Sequence, residues 1–294
     1  MGKRIGVNAS GVLKPDKARV DMTSFCWIRW ISMSVRIDIS TWCSNFQYVR
    51  LRDRIRVWRD QWTGMWDYWR RPEWRLAWGG PFNGQEFRQR LFTELCTRVP
   101  FSAIIETGTY RGTTTEYFRR ATRVPIHSFE TDPRNYGFAR ARLMSCPDVH
   151  LHRCDSRAGL VHLATSNAVP TGAVFFYLDA HGSADLPLAQ EIALAFTHWP
   201  EAVVMIDDFA VPDDPGYGFD DWGPGKALTL GYLGESAVLP LGVWFPACAS
   251  TTETGFRRGC VVLARATDLI RRIDTVRTLR CWAHDEARTL APAP

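Results

Sequence analysis

Residues 104–118 read IIETGTYRGTTTEYF. Two apolar residues lead into an acid, Glu106. Two glycines four apart follow, Gly108 and Gly112, and then three consecutive threonines at the head of a helical run. A short buried strand, a glycine turn and a helix make the opening unit of a parallel α/β sheet. At such a turn the first N–H groups of the helix are free and glycine lets a ligand approach the backbone closely. The ligand is not a dinucleotide held by G-x-G-x-x-G, because Tyr110 and Thr113 occupy the second and third glycine positions. Nor is the turn a P-loop, because Gly112 is followed by threonine and not by lysine.

Outward from this turn the chain alternates strand and helix patterns. Strands are expected at 103–107, 125–131, 148–154, 173–179 and 202–208, each followed by a helical run or a turn. Their nearly continuous apolar character fits strands covered on both faces, in right-handed βαβ units. Two later runs, 237–245 and 258–266, are close enough in sequence to form an antiparallel edge. Acids stand at successive strand ends. Glu130 ends the second strand, where a carboxylate accepts hydrogen bonds from both hydroxyls of a ribose. Asp155 and Ser156 end the third, where an adenine amino group would be read.

On these residues the chain resembles the class I S-adenosylmethionine-dependent methyltransferases, from about Phe82 to Ala266. ETGTYRGTTT resembles their first motif, with a bulky residue in place of the middle glycine; FETD resembles their ribose-binding acid and CDS their adenine-side motif. The resemblance implies a doubly wound, Rossmann-like sheet of seven strands with an antiparallel final strand. It also implies S-adenosylmethionine bound by Glu106, Gly108, Tyr110, Gly112, Thr113, Glu130, Asp155, Ser156 and Asp179.

The fourth and fifth strands bring more acids to the same edge. YLDAHGS puts Asp179 at the end of the fourth strand with His181 two residues on, and MIDDF puts Asp207 and Asp208 at the end of the fifth. Three carboxylates converging there repel one another, and a divalent cation relieves the repulsion; all-oxygen ligation favours Mg²⁺, Mn²⁺ or Ca²⁺. The arrangement is similar to the metal-dependent O-methyltransferases of the macrocin and aminocoumarin tailoring type. That resemblance implies metal ligands Asp179, Asp207 and Asp208, with Asp179 also serving catalysis and His181 as general base. Asp207 and Asp208 are equal ligands only if the backbone turns between them, since adjacent residues on a strand point in opposite directions. The Pro/Gly-rich segment 210–227 is expected to be a lid, with Tyr217, Phe219 and Trp222 facing substrate. His150, His152 and Cys154 alternate with other residues along a strand and are read as core or edge side chains.

The expected function is methylation of a hydroxyl on a small molecule, a natural product or sugar, with a divalent metal. A metal-free N- or carboxyl-methyltransferase and a non-catalytic binding module on the same fold are the alternatives.

The first part of the chain differs in character. Residues 1–98 carry a net charge of +9 and the rest −4, within +5 overall. Nine of the 13 tryptophans precede residue 80. A basic, Trp-rich helical accessory region is therefore expected over 1–80 and the catalytic domain over 81–294. Tyr48, Leu51, Ile55, Trp58, Trp62, Met65 and Trp69 recur at steps of three and four, which predicts one face of a helix within 46–78. That face is expected to pack on the catalytic domain or across a homodimer seam, with contact to a membrane surface as the alternative. No nucleic-acid module is recognisable. Met22 and Met33 are alternative starts. The chain has no run of about 18 apolar residues and no secretory leader pattern, and its eight cysteines lack CxxC pairing. A cytoplasmic protein, or one peripheral to the membrane, is the expectation.

Overall fold

The structure is a computed structural model that describes residues 51–182, 185–235 and 242–282. The segment before Leu51, with Met22 and Met33, lies outside the described residues, as do residues 237–241 of the sixth expected strand.

Five strands are parallel: β1 (Ala103–Thr107), β2 (Ile126–Phe129), β3 (Val149–His152), β4 (Val174–Leu178) and β5 (Ala202–Asp207). The remaining strands are β6 (Gly242–Pro246), β7 (Cys260–Ala264) and β8 (Leu279–Cys281), in the spatial order β3-β2-β1-β4-β5-β7-β6-β8. β7 runs antiparallel between β5 and β6. The mixed α/β architecture and the antiparallel end of the sheet are those expected. The sheet gains an eighth strand, because the three residues of β8 pair with Trp244, Phe245 and Pro246. Three residues reading LRC carry no periodicity that a sequence could announce.

Strand alternation divides the core into two layers. Ile104, Phe175, Tyr177, Val203 and Met205 face one layer, with Phe82, Phe92 and Phe118. Ile105, Phe176, Leu178, Val204 and Ile206 face the other, with Leu188, Ile192 and Phe196. Both faces of β4 and β5 are therefore covered, which is why these strands read as unbroken apolar runs.

Helix α1 (Leu51–Arg70) forms where the three-four periodicity places it, but it packs the other way round. Leu51, Ile55, Trp58, Trp62, Trp66 and Trp69 are 47 to 72% exposed. The buried residues of α1 are Gly64 and Asp67. They lie against α4 (Pro133–Arg142), the fourth helix in the order α1, α2 (Glu86–Arg98), α3 (Thr113–Thr122), α4. A Cβ on Gly64 would lie 1.9 Å from the Arg134 carbonyl oxygen, and one on Gly137 2.0 Å from that of Gln61. The two backbones thus touch through paired glycines. Asp67 accepts from Arg134 Nε at 2.7 Å, and Tyr68 meets Phe138 edge-to-face at 5.4 Å. Periodicity located the apolar face, but a close glycine crossing with a buried ion pair decides which face docks.

This crossing is testable. Gly137→Ala should cost about 1–3 kcal/mol in urea unfolding, the range for overpacking a tight contact. Thr63→Ala, on an exposed position of α1, should change stability by less than about 0.5 kcal/mol.

Candidate functional site

The turn after β1 is built for close approach. Gly108 takes φ 84°, and a Cβ there would lie 2.2 Å from the Asp179 carbonyl oxygen of the neighbouring strand. Tyr110 and Gly112 also have positive φ, 49° and 72°. Gly112 opens α3, whose second residue's hydroxyl accepts from the Phe82 amide. The hydroxyl of Thr113, the first residue of α3, is buried without a hydrogen-bond partner. A free hydroxyl at a helix N-terminus beside a glycine turn suits an anionic group such as a carboxylate.

Glu106, the last residue but one of β1, is buried, and Oε2 accepts from both Thr115 and Ser128 hydroxyls at 2.5 Å. Burial pushes its carboxyl up to about 7. Glu130 stands one strand over. Oε2 accepts from the Tyr110 amide and Oε1 from the Asp132 amide, both at 2.7 Å. Those amides hold the carboxylate against the turn, and each oxygen keeps a lone pair for a ribose hydroxyl. Burial pushes Glu130 up to about 7 as well. Asp155 caps the helix Ser156–Ser166 and is bonded by Arg157, whose guanidinium also reaches Asp185. That bond holds its carboxyl below the usual range, so an adenine amino group would have to share Asp155 with Arg157. Ser156 is buried in the first turn of that helix.

The acids of β4 and β5 part company. Asp208 takes φ 52°, so the chain turns between the two aspartates. Asp207 points into the protein and is wholly engaged. Arg88 of α2 donates to Oδ1, the Tyr177 hydroxyl donates to Oδ2 at 2.6 Å, and Asn83 Nδ2 donates to Oδ2 at 3.3 Å. Arg88 and Asp207 are both buried. Asp207 is thus a structural partner and stands outside the group of ligand atoms that its neighbour joins, contrary to the expectation of three aspartate ligands.

Asp208 joins Asp179 and His181, whose ligand atoms lie within 4.8 Å of one another. The side chain of His181 is only 2% exposed, and neither ring nitrogen has a hydrogen-bond partner. Nε2 is 3.9 Å from Asp179, 3.8 Å from Asp208 and 3.6 Å from Asp220. Arg258 balances part of the negative charge, donating from Nε to Asp208 at 2.6 Å and from its terminal nitrogen to Asp220. Burial, then the charges of Asp207 and Asp208, raise the Asp179 carboxyl well above its usual range. Burial opposes ionisation of Asp208, but the nearby His181 ring and the hydrogen bond and charge of Arg258 outweigh it and hold that carboxyl low.

The segment 210–227 is pinned and not a free flap. Ala210 N donates to the Leu228 carbonyl, Asp220 N to that of Asp208, and Leu228 N to that of Asp220. Tyr217 is buried, its hydroxyl donating to the Cys248 carbonyl at 2.9 Å. It is a core residue, contrary to the expectation that it faces substrate. Phe219 and Trp222 are exposed on either side of Asp220. The histidines of β2 and β3 form a stack, His127 over His150 at 4.8 Å, with His127 Nδ1 and His152 Nε2 3.2 Å apart. They lie at the far edge of the sheet and remain packing residues.

Sequence reasoning missed Arg88, Asp220 and Arg258. Arg88 did leave a signal: it shares a helical face with Leu91, Phe92 and Leu95, where a lone arginine needs a buried counter-charge. Asp220 left none, because an acid in a Pro/Gly loop is the commonest kind of surface residue.

No family model matches the chain, and no curated protein does. Among solved structures it is similar to an O-methyltransferase from Bacillus cereus in complex with SAH. The identity is 15% over 61% of this chain and 81% of that one, with a TM-score of 0.44. It is also similar to SAM-bound CalS10, an amino pentose methyltransferase from Micromonospora echinaspora involved in calicheamicin biosynthesis. There the identity is 18%, over 48% of this chain and 56% of that one, with a TM-score of 0.32. The chain thus spans little more than half the length of the second protein.

The separation of roles at the end of β5 has a thermodynamic signature. Asp207→Ala leaves Arg88 buried and unpaired and should cost about 3–5 kcal/mol. Asp208→Asn keeps the side chain's size and removes one of several mutually repelling carboxylates, and should cost less than about 1 kcal/mol. Urea unfolding of the two variants measures the difference, and equal losses would refute the assignment.

Proposed function

We propose that the protein is an S-adenosylmethionine-dependent O-methyltransferase that holds a divalent metal and methylates a hydroxyl of a small molecule. The observation that carries this reading is His181, a buried imidazole with both nitrogens unpartnered, set among three carboxylates beside the glycine turn.

The turn supplies the cofactor side. Gly108 and Gly112 admit the cofactor to the backbone, and the Thr113 hydroxyl with the N-terminus of α3 faces its carboxylate. Glu130 accepts the ribose hydroxyls, and Asp155 and Ser156 stand at the adenine end. Asp179, His181 and Asp208 are the metal ligands in this reading, with Asp220 within reach. His181 is then a ligand where a general base was expected. One imidazole among carboxylates shifts the preference from Mg²⁺ or Ca²⁺ toward Mn²⁺ and other ions that accept nitrogen. A divalent ion at this position lowers the pKa of a hydroxyl bound to it and fixes its direction. The protein's own part is alignment of acceptor oxygen, methyl carbon and sulfur in one line. The exposed rings of Phe219 and Trp222, next to Asp220, offer the acceptor an apolar face.

Arg258 favours a second reading. It already pairs with both Asp208 and Asp220, so part of the cluster's charge is offset without a metal. A metal-free N- or carboxyl-methyltransferase would use these acids to hold its acceptor directly.

Three measurements test these readings. Titration calorimetry with S-adenosylmethionine comes first: absence of binding at millimolar ligand ends the enzymatic reading and leaves a binding module. Glu130→Ala should weaken that binding by about 1.5–3 kcal/mol with the fold intact. The pH dependence follows from its sign. The free carboxyl of Glu130 titrates near 7 and accepts both hydroxyls only when ionised. Cofactor affinity should therefore rise with pH through about 7, and Glu130→Gln should flatten the rise. Finally, Mn²⁺ should raise the melting temperature by mass action, and Asp208→Asn or His181→Ala should abolish that rise while leaving cofactor affinity nearly unchanged. Activity that survives a chelator would favour the metal-free reading.

A further inference from the structure

Of the 13 exposed large hydrophobic residues among those described, six lie on α1. At about 100° per residue, Leu51, Ile55, Trp58, Trp62, Trp66 and Trp69 fall within an arc of about 80°. The face that docks on α4, centred on Gly64 and Asp67, lies diametrically opposite. The stripe runs about 27 Å along the helix at 1.5 Å per residue.

The orientation of the stripe is built in. The Gly64–Gly137 crossing and the Asp67–Arg134 ion pair hold α1 by its small and polar face. The aromatic face therefore cannot turn inward without separating two backbones in contact. An amphipathic helix that buries its glycine and presents four tryptophans has its apolar side committed to something outside the sheet domain.

Charge selects the occupant. On the same helical wheel Arg52, Arg59 and Arg70 border one side of the stripe and Arg54 the other. Asp53 and Asp60 lie on the docking side of the wheel, where Asp60 pairs with Arg59 and Arg56, and Asp67 is buried in its ion pair. The flank of the stripe that carries Arg52, Arg59 and Arg70 is thus cationic. A second copy packed on this face would bring arginine rows together with Asp60 alone beside them, already shared by Arg59 and Arg56. A bilayer carrying anionic headgroups meets both features at once: indole rings sit at the headgroup level and guanidinium groups pair with lipid phosphate. The charge of the whole chain agrees, with +9 in residues 1–98 and −4 beyond, so an anionic surface attracts this end and repels the other. No described helix is long and apolar enough to cross a membrane.

We propose that the exposed Trp/Arg face of α1 is a docking surface for an anionic lipid bilayer, on which the helix lies flat. The proposal goes beyond the methyl-transfer reading and does not depend on it.

The test uses the full chain and two kinds of vesicle, phosphatidylcholine alone and phosphatidylcholine with 30% phosphatidylserine. The protein should sediment with the anionic vesicles, with a blue shift of tryptophan emission, and much less with the neutral ones. The triple variant Trp58→Ser, Trp62→Ser, Trp66→Ser alters only exposed side chains. It should lose vesicle binding at least tenfold while keeping the wild-type urea midpoint. A second variant, Arg52→Gln with Arg59→Gln, leaves the aromatic stripe untouched and should lower partitioning about 30-fold. The proposal is overturned by failure of the wild-type chain to bind anionic vesicles. Binding that both variants retain overturns it too. So does a concentration-dependent dimer that the tryptophan variant abolishes while wild-type protein ignores the vesicles, since the face then belongs to a second copy.

Discussion

The arrangement at the carboxyl end of the sheet depends on the buried ion pair between Arg88 and Asp207. Two opposite charges in a dry interior gain little over two apolar side chains, because each loses its hydration. The pair is better understood through what it specifies. Arg88 belongs to α2, which precedes the first strand, and Asp207 is the last residue of β5. Their contact therefore ties the helix before the first strand to the middle of the sheet. Arg88 also donates to the Arg258 carbonyl, and Gln85 donates from Nε2 to that carbonyl while its Oε1 accepts from the Arg258 amide. The backbone of Arg258 is fixed on one side by these contacts, which leaves its guanidinium to reach Asp208 and Asp220 on the other.

Asp208 follows from the same constraint. With Asp207 directed inward, the chain takes a left-handed conformation at the next residue, costly for a residue other than glycine. That turn carries Asp208 out to His181 and Asp179. The amide of Asp220 bonds back to the Asp208 carbonyl, so the loop that leaves β5 returns a fourth charged group to the same place. One buried pair thereby sorts neighbouring carboxylates into one turned inward and one turned out toward Asp179 and His181.

The strand ends and the glycine turn were legible in the sequence because each rests on a local rule. Continuous apolar runs mark covered strands, and glycines mark positive φ. The acids at Glu106, Glu130, Asp179 and Asp208 were legible as a group because parallel strands all end at one edge. Which of Asp207 and Asp208 faces the site was not legible, because it depends on Arg88, 119 residues away in the chain. Tyr217 was misread for a related reason. Loop composition predicts exposure, but its hydroxyl finds the Cys248 carbonyl and the ring completes the core. The eighth strand was invisible because three residues at an edge carry no pattern of their own.

Helix α1 shows the limit of periodicity most clearly. An apolar stripe at steps of three and four states that a helix has two faces, and burial of the apolar one is the ordinary outcome. Here the opposite face contains Gly64, and the facing helix contains Gly137 at the matching height. Two glycines let the helices approach until backbone meets backbone, which the bulky indole face cannot do. Close approach brings Asp67 to Arg134 and Tyr68 to Phe138, and those contacts together outweigh burial of the tryptophans against α4. The free energy left in the exposed stripe is then available only to a partner outside the sheet domain. The arginines bordering it fit the anionic surface proposed for that partner.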